Sequence, residues 1–300
     1  MIRIGTRESK LALWQAQKVQ SLFLNQNVDA RLVTISSDGD VDLTTPLYEL
    51  GIQGIFTKTL DAALLQNKID AAVHSYKDVP TVLAKGLHVA AVLERGNVYD
   101  VFVPKNSEYN LNDVCVIATS SMRRKAQWLY KYKHHTTDNI RGNVPTRLQK
   151  LKASNWAGAI FAKAGLERLN LLPQNAVELN WMLPAPAQGA VVVVCREDDE
   201  KTKALCDKFT DWQTAVCTHL ERQLLNKLNA GCSLPVGAFA EIDAENIIHL
   251  KANITAPDGS IKIDGGGQCS IFELDELANE CAQKMLKAGG AKILNALNRN

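Results

Sequence analysis

Residues 69–81, IDAAVHSYKDVPT, constrain the fold more tightly than any other stretch of the chain. Residues 69–73 form a short apolar run, the pattern of a strand buried on both faces of an α/β sheet. The character then breaks. His74, Ser75, Lys77 and Asp78 are polar, and Pro80 cannot donate to a sheet ladder and biases Val79 away from helix. The strand must stop there and a loop begin. In an open α/β sheet, ligands bind at the loops beyond the carboxyl ends of the strands. Lys77 offers a cation for an anionic ligand at such a place, and Asp78 a carboxylate that answers a positive charge. Read alone, the two residues also fit an ordinary surface ion pair.

The same grammar recurs along the chain. Residues 2–5 read as a strand, followed by a helix over 9–24 with Ala12, Ala16, Val19 and Phe23 on one face and Ser9 at its N-cap. Arg7 then sits in a strand-to-helix turn, beside free backbone N–H groups and the positive end of a helix dipole, where carboxylates and phosphates bind. A second strand over 30–36 runs into the polar segment SSDGDVDLTTP, which reads as mobile. A helix follows in which Phe56, Leu60 and Leu64 step by four, and residues 87–93 form another apolar strand. This β–α–β–α–β order predicts a mainly parallel sheet.

Residues 94–104, with a Gly and a terminal Pro, are expected to cross to a second unit built the same way. Residues 114–118 read as a strand, Thr119, Ser120 and Ser121 as a turn, and MRRKAQWLYKY as a helix. Arg123 and Arg124 in its first turn oppose the macrodipole, a cost that points to an anion. Residues 139–141 are expected to end a strand, Gly142-Asn143 to turn, and Pro145 to open a helix. Arg141 and Arg147 flank that turn. Strand 159–162 is followed by Lys163, Gly165 and Arg168. All these cations fall after predicted strands of two similar units.

Pro184 and Pro186 make a stiff connector, and the valine run over 190–195 is expected to return to the first sheet, giving two crossovers. Helices are predicted over 200–209 and 214–228. GAFAEID, IIHLKANIT and SIKIDGG then read as antiparallel hairpin strands, followed by helices over 272–288 and 290–297. This is a small α+β domain, with Cys232 in the loop NAGCSLPVG before it. The expected domains are 1–95 with 188–209, then 98–186, then 212–300 carrying that loop at 229–236.

Composition narrows the chemistry. Three hundred residues at 46% hydrophobic supply a core, and no apolar run approaches the roughly 18 residues of a membrane span. The opening MIRIGTRES lacks the apolar run of a signal peptide, so a cytoplasmic location is expected. The seven cysteines form no C-x-x-C pair, and no His stands at finger spacing, so neither disulfides nor a metal are expected. Net charge is +2, too little for a nucleic-acid field. There is no G-x-x-x-x-G-K-[ST] loop, no G-x-G-x-x-G and no H-E-x-x-H. His74 reads as a hydrogen-bonded structural residue, Asp78 as the best acid–base candidate, and Cys232 as a nucleophile or covalent attachment point. The residues alone reach a cleft enzyme for polycarboxylates or, as the rival, a non-enzymatic two-lobed binding protein for such ligands.

The stretches IGTRESKLALWQA, GIFTKTLDAALL, DAAVHSYKDVP, TSSMRRKAQ, IRGNVPTRL, AGLERL, PAPAQGA and AGCSLPVGAFA, in this order, resemble the porphobilinogen deaminase (hydroxymethylbilane synthase) family nearly end to end. The resemblance implies an α/β fold of two periplasmic-binding-protein-like lobes joined by two crossovers, plus a small α+β C-terminal domain with an antiparallel sheet. It implies condensation of four porphobilinogens, with loss of ammonia, to 1-hydroxymethylbilane in haem biosynthesis. It also implies a monomer without nucleic-acid or membrane partners. A dipyrromethane cofactor joined by a thioether to Cys232 would prime the chain. Asp78 would be catalytic, stabilising the azafulvenium cation left when ammonia departs. Lys77, Asp78, Thr119, Ser120, Ser121, Arg123, Arg124 and Arg147 would hold the cofactor. Arg7, Ser9, Ser75, Arg141, Arg147, Arg168, Gln188 and Phe56 would bind substrate. The polar 37–54 segment would be a mobile lid, and within it Gln53 and Asp38 depart from the family, which often has Lys and another basic residue there, so this lid is less basic than usual.

Overall fold

The computed structural model describes residues 1–36, 57–106, 109–231 and 234–297. The lid expected over 37–54, with Asp38 and Gln53, lies outside the described residues, as do Phe56 and Cys232. The chain forms two compact units. Among the described residues the first takes in 1–36, 57–96 and Gly189–Val216, and the second 97–188 and 217–297.

The first unit is built on β1 (Ile2–Thr6), α1 (Lys10–Leu24), β2 (Ala30–Thr34), α2 (Lys58–Leu65), β3 (Ala71–Ser75) and β4 (Leu87–Val92), completed by the later strand β10 (Val191–Arg196) and helix α6 (Glu200–Asp207). The sheet order is β2-β1-β3-β10-β4. β1 pairs parallel with β2 and β3, whereas β10 runs antiparallel between β3 and β4. The valine run does return to the first sheet, where helices cover both faces. On one face Ile2, Ile4, Val73, Val191 and Val193 pack with Ala16, Val19 and Phe23 of α1 and Cys206 of α6. On the other, Ala72 and Val194 pack with Leu60 and Leu64 of α2. Each fully buried Val, Leu, Ile or Phe among them contributes roughly 1.5–3 kcal/mol. Ser9 caps α1, accepting from the Ala12 amide at 3.3 Å.

The second unit carries β5 (Asp100–Pro104), β6 (Val116–Ala118), α3 (Met122–Lys131), β7 (Thr136–Asp138), α4 (Val144–Ala153), β8 (Gly158–Ala162), α5 (Lys163–Arg168) and β9 (Val177–Glu178), with sheet order β7-β6-β8-β5-β9. Residues 94–104 are not all connector. The chain passes between units after Gly96, and residues 100–104 form a fully buried strand, antiparallel to β8 and β9, that ends at Pro104. Residues 139–141 likewise lie beyond β7 rather than ending it. The Asn139 amide donates to the Asp138 side chain and the Ile140 amide to Ser120 Oγ, so neither feeds a ladder. Val101, Val103 and Phe161 pack against Val144 and Leu151 of α4, while Phe102, Ile117 and Ile160 pack against Trp128 of α3.

Helix α7 (Trp212–Lys227) leads to an antiparallel sheet, β11 (Val236–Ile242), β12 (Ile248–Thr255) and β13 (Lys262–Cys269), followed by α8 (Leu274–Met285) and α9 (Ala291–Leu297). A Cβ on Gly265 would lie 2.5 Å from Met285, so that glycine lets α8 approach β13. Asn253 of β12 donates to Gln127 Oε1 of α3 at 3.2 Å, tying this sheet to the neighbouring one inside the same unit.

Candidate active site

In the first unit the register Thr6↔Thr34, Gly5↔Ala72 brings the carboxyl ends of β1, β2 and β3 to one sheet edge. Arg7 leaves that edge from β1. Ser75 ends β3, and a single 3-10 turn, Tyr76–Asp78, follows before Pro80. The Tyr76 amide donates to Ala190 O at 3.0 Å and the Val79 amide to Tyr76 O at 3.2 Å, which fixes the turn between them. Asp78 is exposed, and Lys77 and Arg7 are half-buried. Gln15 of α1 donates to Ser75 Oγ at 2.8 Å, so helix and strand end are joined by side chains beside the cap at Ser9.

His74 departs from expectation. It is buried, yet its Nε2 has no hydrogen-bond partner. Burial first, and the nearby Arg7 charge second, push its pKa down to about 4, so the ring is neutral at pH 7. On α2, Asp61 is pushed up to about 6 by burial, against a hydrogen bond to Thr57.

In the second unit the carboxyl ends of β6, β7 and β8 also share an edge, together with the start of the antiparallel β5. Ser120 and Ser121 shape the turn after β6. Ser120 Oγ donates to Ile140 O and accepts from the Ile140 amide, both at 2.9 Å, which binds this turn to the loop carrying Arg141. Ser121 caps α3 through the Arg124 amide at 3.4 Å, and the Ser121 amide donates to Thr119 Oγ1 at 3.3 Å. Asn143 caps α4, accepting from the Thr146 amide at 3.0 Å, and Gly142 beside it has a φ of +114° that suits glycine. Arg147 stands on α4 with its guanidinium 5.2 Å from the Phe161 ring centre.

The anion beside Arg123 and Arg124 is internal. Asp100, the fully buried first residue of β5, accepts from Arg123 Nη2 on Oδ2 and from Arg124 Nη2 on Oδ1, each at 2.8 Å. Gln188 Nε2 donates to the same Oδ1 at 2.9 Å and to Val98 O at 2.8 Å. Asp100 sat in the segment read as a connector, so the sequence carried no signal for this partner. Two guanidiniums against one carboxylate leave an excess positive charge, and the buried Arg123 Nε keeps no partner. Burial lowers the pKa of Arg123 and of Arg168. Lys163 is engaged by Glu178 at 2.6 Å, which raises its pKa. A second unread residue is Glu221 of α7. It is buried, and its carboxylate accepts from the Ala187 amide at 2.6 Å and the Ala240 amide at 2.7 Å. Ala187 sits at φ +60°, an unusual backbone for alanine in the segment leading to the second crossover.

For a ligand rich in carboxylates this donor set fits. Arg141 follows β7, Arg147 stands on α4, Arg168 ends α5 and Arg123 and Arg124 open α3, and arginine forks match carboxylates two-pronged. Among the described residues no group of three or more His, Cys, Asp or Glu is arranged to hold a metal ion.

Two family models match the sequence: "Porphobilinogen deaminase, dipyromethane cofactor binding domain" over residues 2–204, and "Porphobilinogen deaminase, C-terminal domain" over residues 215–287. The sequence is similar to the probable porphobilinogen deaminase of Methanocaldococcus jannaschii, at 41% identity over 98% of this chain and 100% of that one. It is also similar to porphobilinogen deaminase of Legionella pneumophila, at 36% identity over 99% of this chain and 98% of that one. Among solved structures, the methionine-binding protein MetQ aligns over 71% of this chain and 93% of its own, at 15% identity and a TM-score of 0.43.

Proposed function

The chain belongs to the porphobilinogen deaminase family, and from that membership we propose how its residues divide the work. The enzyme is a transferase of haem biosynthesis that joins four porphobilinogen molecules head to tail, releasing ammonia, into 1-hydroxymethylbilane on a dipyrromethane cofactor. When bound, that cofactor supplies the free pyrrole α-carbon that starts the chain, a nucleophile no side chain here offers. We assign its covalent attachment to the thiol of Cys232.

Asp78 is the catalytic group in this account. Its carboxylate accepts pyrrole N–H bonds and stabilises the positive charge that develops on the incoming ring as ammonia leaves. Lys77 beside it, with Arg7, Ser9 and Ser75 along the same edge, receives substrate carboxylates. In the second unit Thr119, Ser120 and Ser121 offer hydroxyl and backbone donors at the start of α3. Arg123, Arg124 and Arg147 hold the cofactor's acetate and propionate groups, and Arg141, Arg147 and Arg168 those of the added pyrroles. Phe56 we also assign to substrate binding. Gln188 we assign to holding Asp100, in addition to its place beside the substrate. The observation that carries the reading is the register of β1 against β3. It supports Arg7 and the Lys77–Asp78 turn sharing one edge, so cation and carboxylate can address one bound ring.

Three domains, 1–95 with 188–209, 98–186 and 212–300, are our division of the chain, supported by the three separately hydrogen-bonded sheets among the described residues. A cytoplasmic monomer without nucleic-acid or membrane partners completes the proposal. The six described cysteines are free thiols. Among the described residues no helix is long and apolar enough to cross a membrane.

The Asp78 role is tested by Asp78→Asn, which keeps shape and removes charge. We expect kcat to fall by about a hundredfold or more while the melting temperature holds. Turnover within a few-fold of wild type would remove Asp78 from the mechanism.

A further inference from the structure

Asp100 has no part in the division of work above except as a partner. Yet its carboxylate, fully buried at the carboxyl edge of the second sheet, accepts from three side chains. It receives Arg123 on Oδ2, and on Oδ1 it receives Arg124 through both Nη2 and Nε together with Gln188. The guanidiniums also spend donors on backbone, Arg123 Nη1 on Leu183 O at 2.7 Å and Arg124 Nη1 on Ile160 O at 3.1 Å. Every heavy constraint on their orientation is therefore internal. Gln188 in turn donates to Val98 O, so the amide that bonds the carboxylate is itself anchored to backbone near the first crossover.

An ion cluster built for stability would match its charges, because each buried unpaired cation costs desolvation. This cluster does not match: two cations share one anion, and Arg123 Nε is left buried without a partner. The residual unit of positive charge makes sense beside an anion that comes and goes. The reaction adds carboxylates to the bound chain at every step. Two uncompensated guanidiniums would bind that chain ever more tightly, and binding that does not favour the transition state slows release without speeding chemistry.

We propose that Asp100 is a positioning residue that fixes the Arg123–Arg124 pair and sets its net charge at one, holding the carboxylate-bearing chain during growth while letting the finished product go. The proposal rests on the reading of Arg123 and Arg124 as carboxylate-binding groups, and the test separates the two.

The experiment combines steady-state kinetics with intact-mass analysis of the holoenzyme after porphobilinogen is added, where covalent intermediates appear as a ladder of added pyrroles. Asp100→Asn raises the pair's net charge to two. The ladder is expected to shift toward its longest members and kcat to fall at least about fivefold, with KM for porphobilinogen unchanged or lower. Asp100→Glu, which keeps the charge, restores the wild-type ladder. A folded Asp100→Asn enzyme with wild-type ladder and kcat overturns the proposal. Arg123→Gln, net charge zero, is expected to shorten the ladder and raise KM. If it does so while Asp100→Asn changes nothing, the arginine reading stands and the Asp100 role falls; if neither variant moves the ladder, both fall. Should Asp100→Asn not fold, the double variant Asp100→Asn/Arg123→Gln is compared with Arg123→Gln alone: the net charge rises from zero to one, so a longer ladder than that of Arg123→Gln is expected, and a ladder no longer than it overturns the proposal.

Discussion

His74 is held neutral beside Arg7 at the end of β3, its pKa pushed down to about 4 by burial and by that charge. In the unfolded chain it titrates near 6.5. Between those values the unfolded state binds a proton that the folded state refuses, so stability is lost as pH falls from about 6.5 toward 4. The loss due to His74 between pH 7 and pH 5 is about 2 kcal/mol by this linkage. Asp61, pushed up to about 6, acts oppositely: its folded state takes up a proton first and gains stability over the same range. The two are separated by urea unfolding of wild type and His74→Gln at both pH values. The variant's stability relative to wild type should improve by about 2 kcal/mol on going to pH 5; an equal difference at both pH values would contradict the neutral, buried ring. Burial of His74 was legible from the apolar run that it ends. Its lack of a hydrogen bond was not, because a partner is supplied by the fold and not by neighbours in sequence. The same holds for Asp100, whose partners lie 23 and 24 positions away.

At the scale of elements, the strand-to-helix turns carry the proposed site residues, and their caps are where sequence spoke most clearly. Ser9, Ser121 and Asn143 each accept a helix N–H from three residues on, the pattern that polar residues at helix starts predict. Ser121→Ala should cost about 1 kcal/mol, read as a lower melting temperature. An unchanged melting curve would show that the turn does not depend on that cap. Ser120→Ala removes both bonds to Ile140 and frees the loop carrying Arg141. Its expected effect is a several-fold rise in KM for porphobilinogen with a smaller change in kcat, and kcat falling alone would place Ser120 in the chemistry instead. Strand β5 escaped the sequence reading because its glycine-bearing approach and terminal proline look like punctuation. The two-residue β9 has too little pattern to detect. Both are edge-to-centre details of a sheet whose parallel part was legible from the order of apolar runs and helices.

For the molecule as a whole, the sequence already showed cations after strand ends in two similar α/β units, a chain that passes between the units and returns, and a separate antiparallel sheet near the C-terminus. Hydrophobic periodicity reports these because each sheet buries its own core. It does not report which arginines are committed to internal carboxylates, and that correction changes the expected charge around Arg123 and Arg124 from two to one. The central claim is that this chain carries its own primer covalently and extends it. The most direct measurement is the intact mass of the denatured, purified protein beside a Cys232→Ser control. The account predicts wild type heavier than its sequence by one dipyrromethane, a control of sequence mass, and a ladder of added pyrroles on wild type after porphobilinogen is supplied. A wild-type chain that weighs what its sequence dictates, before and after porphobilinogen, would contradict it.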